Sequence, residues 1–116
     1  MKEYDNESQE ADFLICDGDY MLLAYCPNYH KNNRHYSLSA FLPQRIERVS
    51  LPISIKKSDK GYYAYHIIGV LTERIGRNGK VQIGEIVINV SDIPNDIVIG
   101  DSISFEVMRI DYSQEM

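Results

Sequence analysis

The hydrophobic pattern is densest between Tyr62 and Val90, in the run YYAYHIIGVLTERIGRNGKVQIGEIVINV. It reads as two long strands joined at Asn78-Gly79, a dipeptide that favours the positive φ values of a type I′ turn. With that turn Arg77 faces Lys80, and counting back pairs Leu71 with Ile86, Gly69 with Ile88 and Ile67 with Val90. Those residues share one face, while Ile68, Val70, Ile83 and Val87 fall on the other. A hairpin apolar on both faces requires a core on one side and a second sheet, a barrel wall or a partner on the other. The same two-sidedness makes the hairpin a candidate contact for a homo-oligomer.

The rest of the chain is patterned in shorter pieces. Phe13–Cys16 and Tyr20–Cys26 are apolar runs around Asp17-Gly18, a second hairpin signal. Residues 27–35 are polar and read as a loop. Tyr36, Leu38, Ala40 and Leu42 alternate with Ser37, Ser39 and Phe41 up to Pro43, which predicts a strand ended by the proline. Helical spacing also runs through Leu38, Phe41, Leu42, Ile46 and Val49. Proline inside that helix costs about 3 kcal/mol, so at most a short turn starting at Pro43 is expected. Val49, Leu51, Ile53 and Ile55 alternate cleanly and give the best single strand signal, with Pro52 placing it at a sheet edge. Lys57–Gly61 is a turn, and Ser91–Gly100 is a connection broken by Pro94. Ile103, Phe105 and Val107 form the last alternating set before the parity shifts to Met108, Ile110 and Tyr112, which suits a bulge or strong coiling. These elements predict an all-β fold: an antiparallel, meander-rich small barrel or sandwich of about seven strands with little helix. Residues 1–11 read as a flexible acidic tail and 12–116 as one β domain.

Composition narrows the class. Of 116 residues, 44% are hydrophobic and 25% charged, as in folded soluble domains. No apolar run approaches the ~20 residues that span a bilayer, and the acidic N-terminus lacks a signal-peptide core, so a cytoplasmic location is expected. Two cysteines, Cys16 and Cys26, do not describe a disulfide framework. Net charge is −5 but unevenly spread: residues 1–30 carry seven acids and one base, 31–80 ten bases and three acids, and 81–116 seven acids and one base. Either acidic and basic strands alternate in space and neutralise each other, or the surface is charge-segregated.

Motifs for chemistry are sparse. There is no CxxC, HExxH, Walker loop or nucleotide-binding glycine fingerprint, and neither a cofactor nor a metal is expected. Gly76–Gly79 matches the GxxG of RNA-clamping loops but lies in a hairpin turn rather than between helices. Cys26, His30 and His35 supply three potential ligands, short of the four of a closed zinc site, and read as exposed loop residues. His66, in a tyrosine-rich strand, reads as a partly buried side chain. A non-catalytic protein is therefore expected.

Two sets of residues remain as candidates for contact. Nine tyrosines include Tyr62, Tyr63 and Tyr65 in one strand, which serve either strand packing or a recognition surface of large area and low entropy cost. Asp17, Asp19, Asp92, Asp96 and Asp101 lie in predicted turns or at strand starts, as ordinary turn residues or as a negative patch for a basic partner. A second functional class, single-stranded nucleic-acid binding, draws on the basic middle segment: Lys31, Arg34, Arg74, Arg77 and Lys80 for phosphates, with the tyrosines as a stacking platform.

The closing stretch IGDSISFEV, residues 99–107, resembles the final strand of OB-type barrels such as cold-shock domains, whose aromatic RNA-binding motifs have no counterpart in this sequence. The longer stretch IPNDIVIGDSISFEVMRIDY resembles small all-β immunity proteins of bacterial toxin systems. That resemblance implies a protein module that neutralises a basic toxin domain by occluding its active site, and it carries over no functional residue.

Overall fold

The computed structural model describes residues 11–26 and 36–114, all in strands, turns and connections. Among the described residues ten strands follow one another: β1 (Ala11–Asp17), β2 (Tyr20–Cys26), β3 (Tyr36–Phe41), β4 (Gln44–Arg48), β5 (Ser54–Lys57), β6 (Tyr65–Ile75), β7 (Asn78–Ile83), β8 (Ile86–Val90), β9 (Ser102–Val107) and β10 (Arg109–Gln114). They form one mixed sheet in the order β1-β2-β10-β3-β8-β7-β6-β9-β4, with β5 on β6 off this path. The all-β class is as expected. The count of about seven and the antiparallel barrel or sandwich are corrected: β10/β2 and β3/β8 are parallel, and the sheet does not close. Among the described residues no helix is long and apolar enough to cross a membrane.

The 11-residue β6 is the spine of the sheet. Its first half pairs with β5 on one edge and β9 on the other, and its second half pairs with β7. Leu71 faces Val81, not Ile86, because the turn falls at Gly76-Arg77, where Gly76 takes φ +62°. Asn78 and Gly79 begin β7 instead. A second turn at Gly84-Glu85 then divides the predicted long strand, so that Ile83 faces Ile86. This corrects the two-sided hairpin. Residues three apart would lie on opposite faces of one strand, but across a two-residue turn they face each other. Val81, Ile83, Ile86, Ile88 and Val90 therefore join Ile67 and Leu71 in a single core, completed by Leu22, Ile103, Phe105 and Ile110. At roughly 1.5–3 kcal/mol for each large apolar side chain buried, this face is the main favourable term in folding. On the outer face Ile68 is buried within the chain and Val87 is only marginally exposed.

Other boundaries moved for local reasons. The hairpin signal at Asp17-Gly18 holds with the turn at Gly18-Asp19. Pro43 ends β3 as expected, but a short bulged strand, β4, follows it, with Arg45 at φ +55°. The clean alternation from Val49 to Ile55 is not a strand: residues 49–53 are irregular and only Ser54 and Ile55 enter β5. Pro52 cannot donate to a ladder, and Leu51 is exposed. The parity shift at Met108 marks the break between β9, which pairs with β6, and β10, which crosses to β3. A tyrosine ties the two halves of the sheet together. The Leu23 amide, next to the short ladder of β2 with β10, donates to the hydroxyl of Tyr65 at 2.8 Å.

Candidate interaction surfaces

The connection from Ser91 to Asp101 is an irregular segment held by many bonds from the rest of the chain. Its carbonyls converge on one guanidinium: Arg74, at the end of β6, donates to Ile93 (3.1 Å), Pro94 (2.8 Å) and Ile97 (2.6 Å), and to Gly76 of its own turn (2.9 Å). A planar fork of fixed donors suits this arrangement, whereas an ammonium is a point charge. From β4, Arg48 donates to the Asp96 carbonyl and to the Asp101 carboxylate at 3.0 Å. The same carboxylate oxygen accepts the Val98 amide at 2.9 Å. That amide bond, and then Arg48, hold the Asp101 carboxyl below the ordinary carboxylate range. Backbone bonds complete the frame: Ile93 N–H to Arg77, Gly100 N–H to Leu71 and Leu71 N–H to Asp101. Ile93 and Ile97 are buried beneath, while Val98 (58% exposed) and Ile99 (61%) point to solvent, and Asp92 and Asp96 are exposed.

At the other end of β9 lies an aromatic surface. The Arg109 guanidinium sits 4.0 Å from the Phe41 ring centroid and 5.3 Å from that of Tyr25. Tyr25 packs against Tyr63 (5.8 Å), and Tyr63 meets Tyr62 edge-on at 4.8 Å. Met108 adjoins Gly61 and donates its amide to the Phe41 carbonyl. Tyr62 and Tyr63 thus belong to one surface, but Tyr65 does not: its ring is in the core. The cations at this end are engaged. Arg109 pairs with Asp111 at 2.6 Å and Lys60 with Glu106 at 2.7 Å. Lys57 donates to the carbonyls of Ser58, Gly61 and Ala64.

The five acids do not form one patch. Asp92, Asp96 and Asp101 share the 92–101 connection at the Asn78 end of β7, where Arg48, Arg74 and Arg77 also lie. Asp17 and Asp19 sit at the opposite end, where the Asp17 carboxylate accepts the Glu85 amide at 2.7 Å. Six residues of strand separate the ends by about 20 Å. Of the proposed phosphate contacts, Arg74 is filled by carbonyls, Lys80 pairs with Glu73 at 3.5 Å, and Arg77 is exposed. Lys31 and Arg34 fall outside the described residues, as do His30, His35 and residues 1–10 of the expected tail. The basic middle and acidic C-terminal segments meet in the pairs Arg48–Asp101, Lys60–Glu106 and Arg45–Glu106, in line with charge neutralisation between neighbouring strands.

Surface clefts open among the described residues, including one of about 650 Å³ beside the connection, lined by Arg74, Asn95, Val98 and Ile99, and two against the sheet. One of about 380 Å³ lies between β3, β8 and the tip of the β6–β7 hairpin, lined by Ala40, Ile75, Lys80 and Asn89; the other, about 520 Å³, lies beside β1, lined by Cys16, Asp17, Glu85 and Val87. Among the described residues no three His, Cys, Asp or Glu side chains gather as a metal-ligand set. Phe41, Arg109 and the role of Arg74 were invisible to sequence reasoning; the parity shift at Met108 was the one local signal of an unusual surface. Comparison with protein-family models, characterised proteins and solved structures finds no match to this chain.

Proposed function

We propose that this chain is a non-catalytic protein-binding module and, in its specific form, an immunity protein that neutralises a toxin by occluding its active site. The observation that carries the reading is the 92–101 connection, which is held from inside by Arg74 and Arg48 while it offers Val98, Ile99, Asp92 and Asp96 to solvent. A loop fixed before contact loses little conformational entropy on binding. Two adjacent aliphatic side chains supply a dry centre, and exposed carboxylates raise the encounter rate with a basic surface such as a nucleic-acid-cleaving site. Asp101 acts inward, as a strut of the loop. The anchors of this surface are Val98 and Ile99 in place of Tyr62, Tyr63 and Tyr65. Single-stranded nucleic-acid binding draws less support, because Arg74 and Lys80 already have partners within the chain.

The test is co-purification from the native host with wild-type chain and with Asp92→Lys/Asp96→Lys. A stoichiometric basic partner that is lost on charge reversal is expected. Recovery of a partner indifferent to those changes, or salt-sensitive binding of single-stranded DNA or RNA in its place, overturns the reading.

A further inference from the structure

Arg74 is paired unlike the other described arginines. Arg45, Arg48 and Arg109 each lie beside a carboxylate, Arg109 also faces the Phe41 and Tyr25 rings, and Arg77 is exposed to water. Arg74 is half-buried, yet among the described residues neither a carboxylate nor a ring meets its guanidinium. Its N–H groups donate to the neutral carbonyls of Gly76, Ile93, Pro94 and Ile97. Carbonyl dipoles satisfy the donors but leave the positive charge without a counter-charge, where water screens it less than at the open surface. A cleft of about 650 Å³ lies against it. Gly76 and Ile97, whose carbonyls Arg74 holds, line that cleft with Arg74 itself, Asn95, Val98 and Ile99.

The chemistry of these walls selects the occupant. Carboxylates and phosphates bind a guanidinium at its edge, two-pronged on the donor fork, and here that edge is taken up by carbonyls. A planar cation whose edge is filled still has its faces, and the group that complements a face is an aromatic ring. Val98 and Ile99 give apolar contact to the rest of such a ring, whereas an anion would lose its water against them. A lysine or arginine entering the cleft meets like charge. We propose that the cleft is the socket for an aromatic side chain of the protein partner, with Arg74 as the cation against the ring. The proposal rests on the reading of the 92–101 connection as a recognition loop and adds what the loop recognises: an aromatic anchor flanked by bases that face Asp92 and Asp96. Aromatic side chains in dry pockets are where interface binding energy concentrates. Because four carbonyls already hold Arg74, the cation is in place before the ring arrives and loses little freedom on binding.

Titration of the full isotope-labelled chain with N-acetyl-phenylalaninamide and N-acetyl-tryptophanamide tests it, followed by NMR at the Arg74 Nε–H and the Val98 and Ile99 amides. Both probes should give saturable shifts, with the Arg74 Nε–H moved upfield by the ring current, and the tryptophan probe should bind more tightly. Two analogues of the phenylalanine probe separate charge from burial in the unaltered protein. A pentafluorophenyl ring reverses the quadrupole and a cyclohexyl ring has none, while both are at least as apolar as phenyl. Each should bind about fivefold more weakly or worse, whereas apolar burial alone gives the opposite order. Analogues as tight as the phenylalanine probe overturn the socket. So does the lack of a saturable shift at Arg74 from either aromatic probe, or a shift there produced by acetate in their place. These outcomes are read without a partner, so they leave the co-purification test of Asp92 and Asp96 standing. Absence of a partner in that test removes the recognition loop and leaves ring binding at Arg74 as a measured property of the cleft.

Discussion

Replacing Arg74 with methionine keeps the apolar stem and removes the guanidinium that four carbonyls share. Hydrogen bonds from a charged donor contribute roughly 1.5–3 kcal/mol each, but bonds made by one group are not additive. The side chain is only half-buried, so water takes over part of the lost pairing. The net expectation is a loss of about 2–3 kcal/mol, drawn mainly from the Ile93, Pro94 and Ile97 carbonyls. Arg74→Lys should recover only part of it, because an ammonium cannot reproduce the fork. In urea, with a slope of roughly 1–3 kcal/mol per molar, the midpoint should fall by about 1–2 M. Amide exchange localises the effect: Ile97, Gly100 and Asp101 should lose protection before the β3–β10 ladder does. A loss below about 0.5 kcal/mol, the range of ordinary surface substitutions, would refute the clamp. So would exchange that accelerates evenly through the sheet.

The turn register gives a second prediction. Gly76→Val should cost about 1 kcal/mol or more from its positive φ, whereas Asn78→Val, now a strand substitution, should cost little; a reversed order in urea melts would restore the Asn78-Gly79 turn. Gly79→Val should also destabilise, here through packing, because a Cβ would lie 2.5 Å from the Glu73 carbonyl oxygen and 2.9 Å from Ile93 Cδ1; a near-neutral urea midpoint would contradict it. Acid should loosen the loop. The depressed folded-state pKa of Asp101 means that its stabilisation is fully present above the unfolded-state pKa and is lost as pH falls through the folded-state value. Exchange at the Val98 amide should therefore accelerate below the ordinary carboxylate range in wild type, and Asp101→Asn should flatten that dependence; identical profiles would exclude the strut. Glu106, held down chiefly by Lys60 and further by Arg45 and His66, should likewise titrate below its ordinary range, a depression of its carboxyl titration that Lys60→Met should reduce; an unchanged titration would contradict it.

Much of the fold was legible because its strands alternate and its breakers are strong. The long strand read from Tyr62 onward exists as β6, Tyr65–Ile75, and the stop at Pro43 is a real boundary, while the parity shift at Met108, read as a bulge or coiling, separates two strands. What failed were positions decided by tertiary contact. Asn78-Gly79 carries the stronger turn signal, yet Ile93 packs closely against Gly79 and bonds to Arg77, which pins the strand there and leaves the turn to Gly76-Arg77. The Val49–Ile55 alternation was a strand pattern without a ladder to join. The surfaces were legible only in part. Asp92, Asp96 and Tyr62 are exposed as a contact role requires and Tyr63 is half-buried, but sequence order could not show that Asp92 and Asp96 sit at the opposite end of β9 from Tyr62 and Tyr63, or that Asp101 turns inward. Arg74 looked like one more cation of a basic segment because its acceptors lie 19 to 23 residues away.

The proposed recognition surface can be probed by placing a photo-crosslinking amino acid at Val98, and separately at Asp19, in the native host. The account predicts one adduct, to a basic protein, from Val98 and none from Asp19, with the Val98 adduct abolished by Asp92→Lys/Asp96→Lys. Adducts from Asp19 alone, or a Val98 adduct that survives charge reversal, would contradict it.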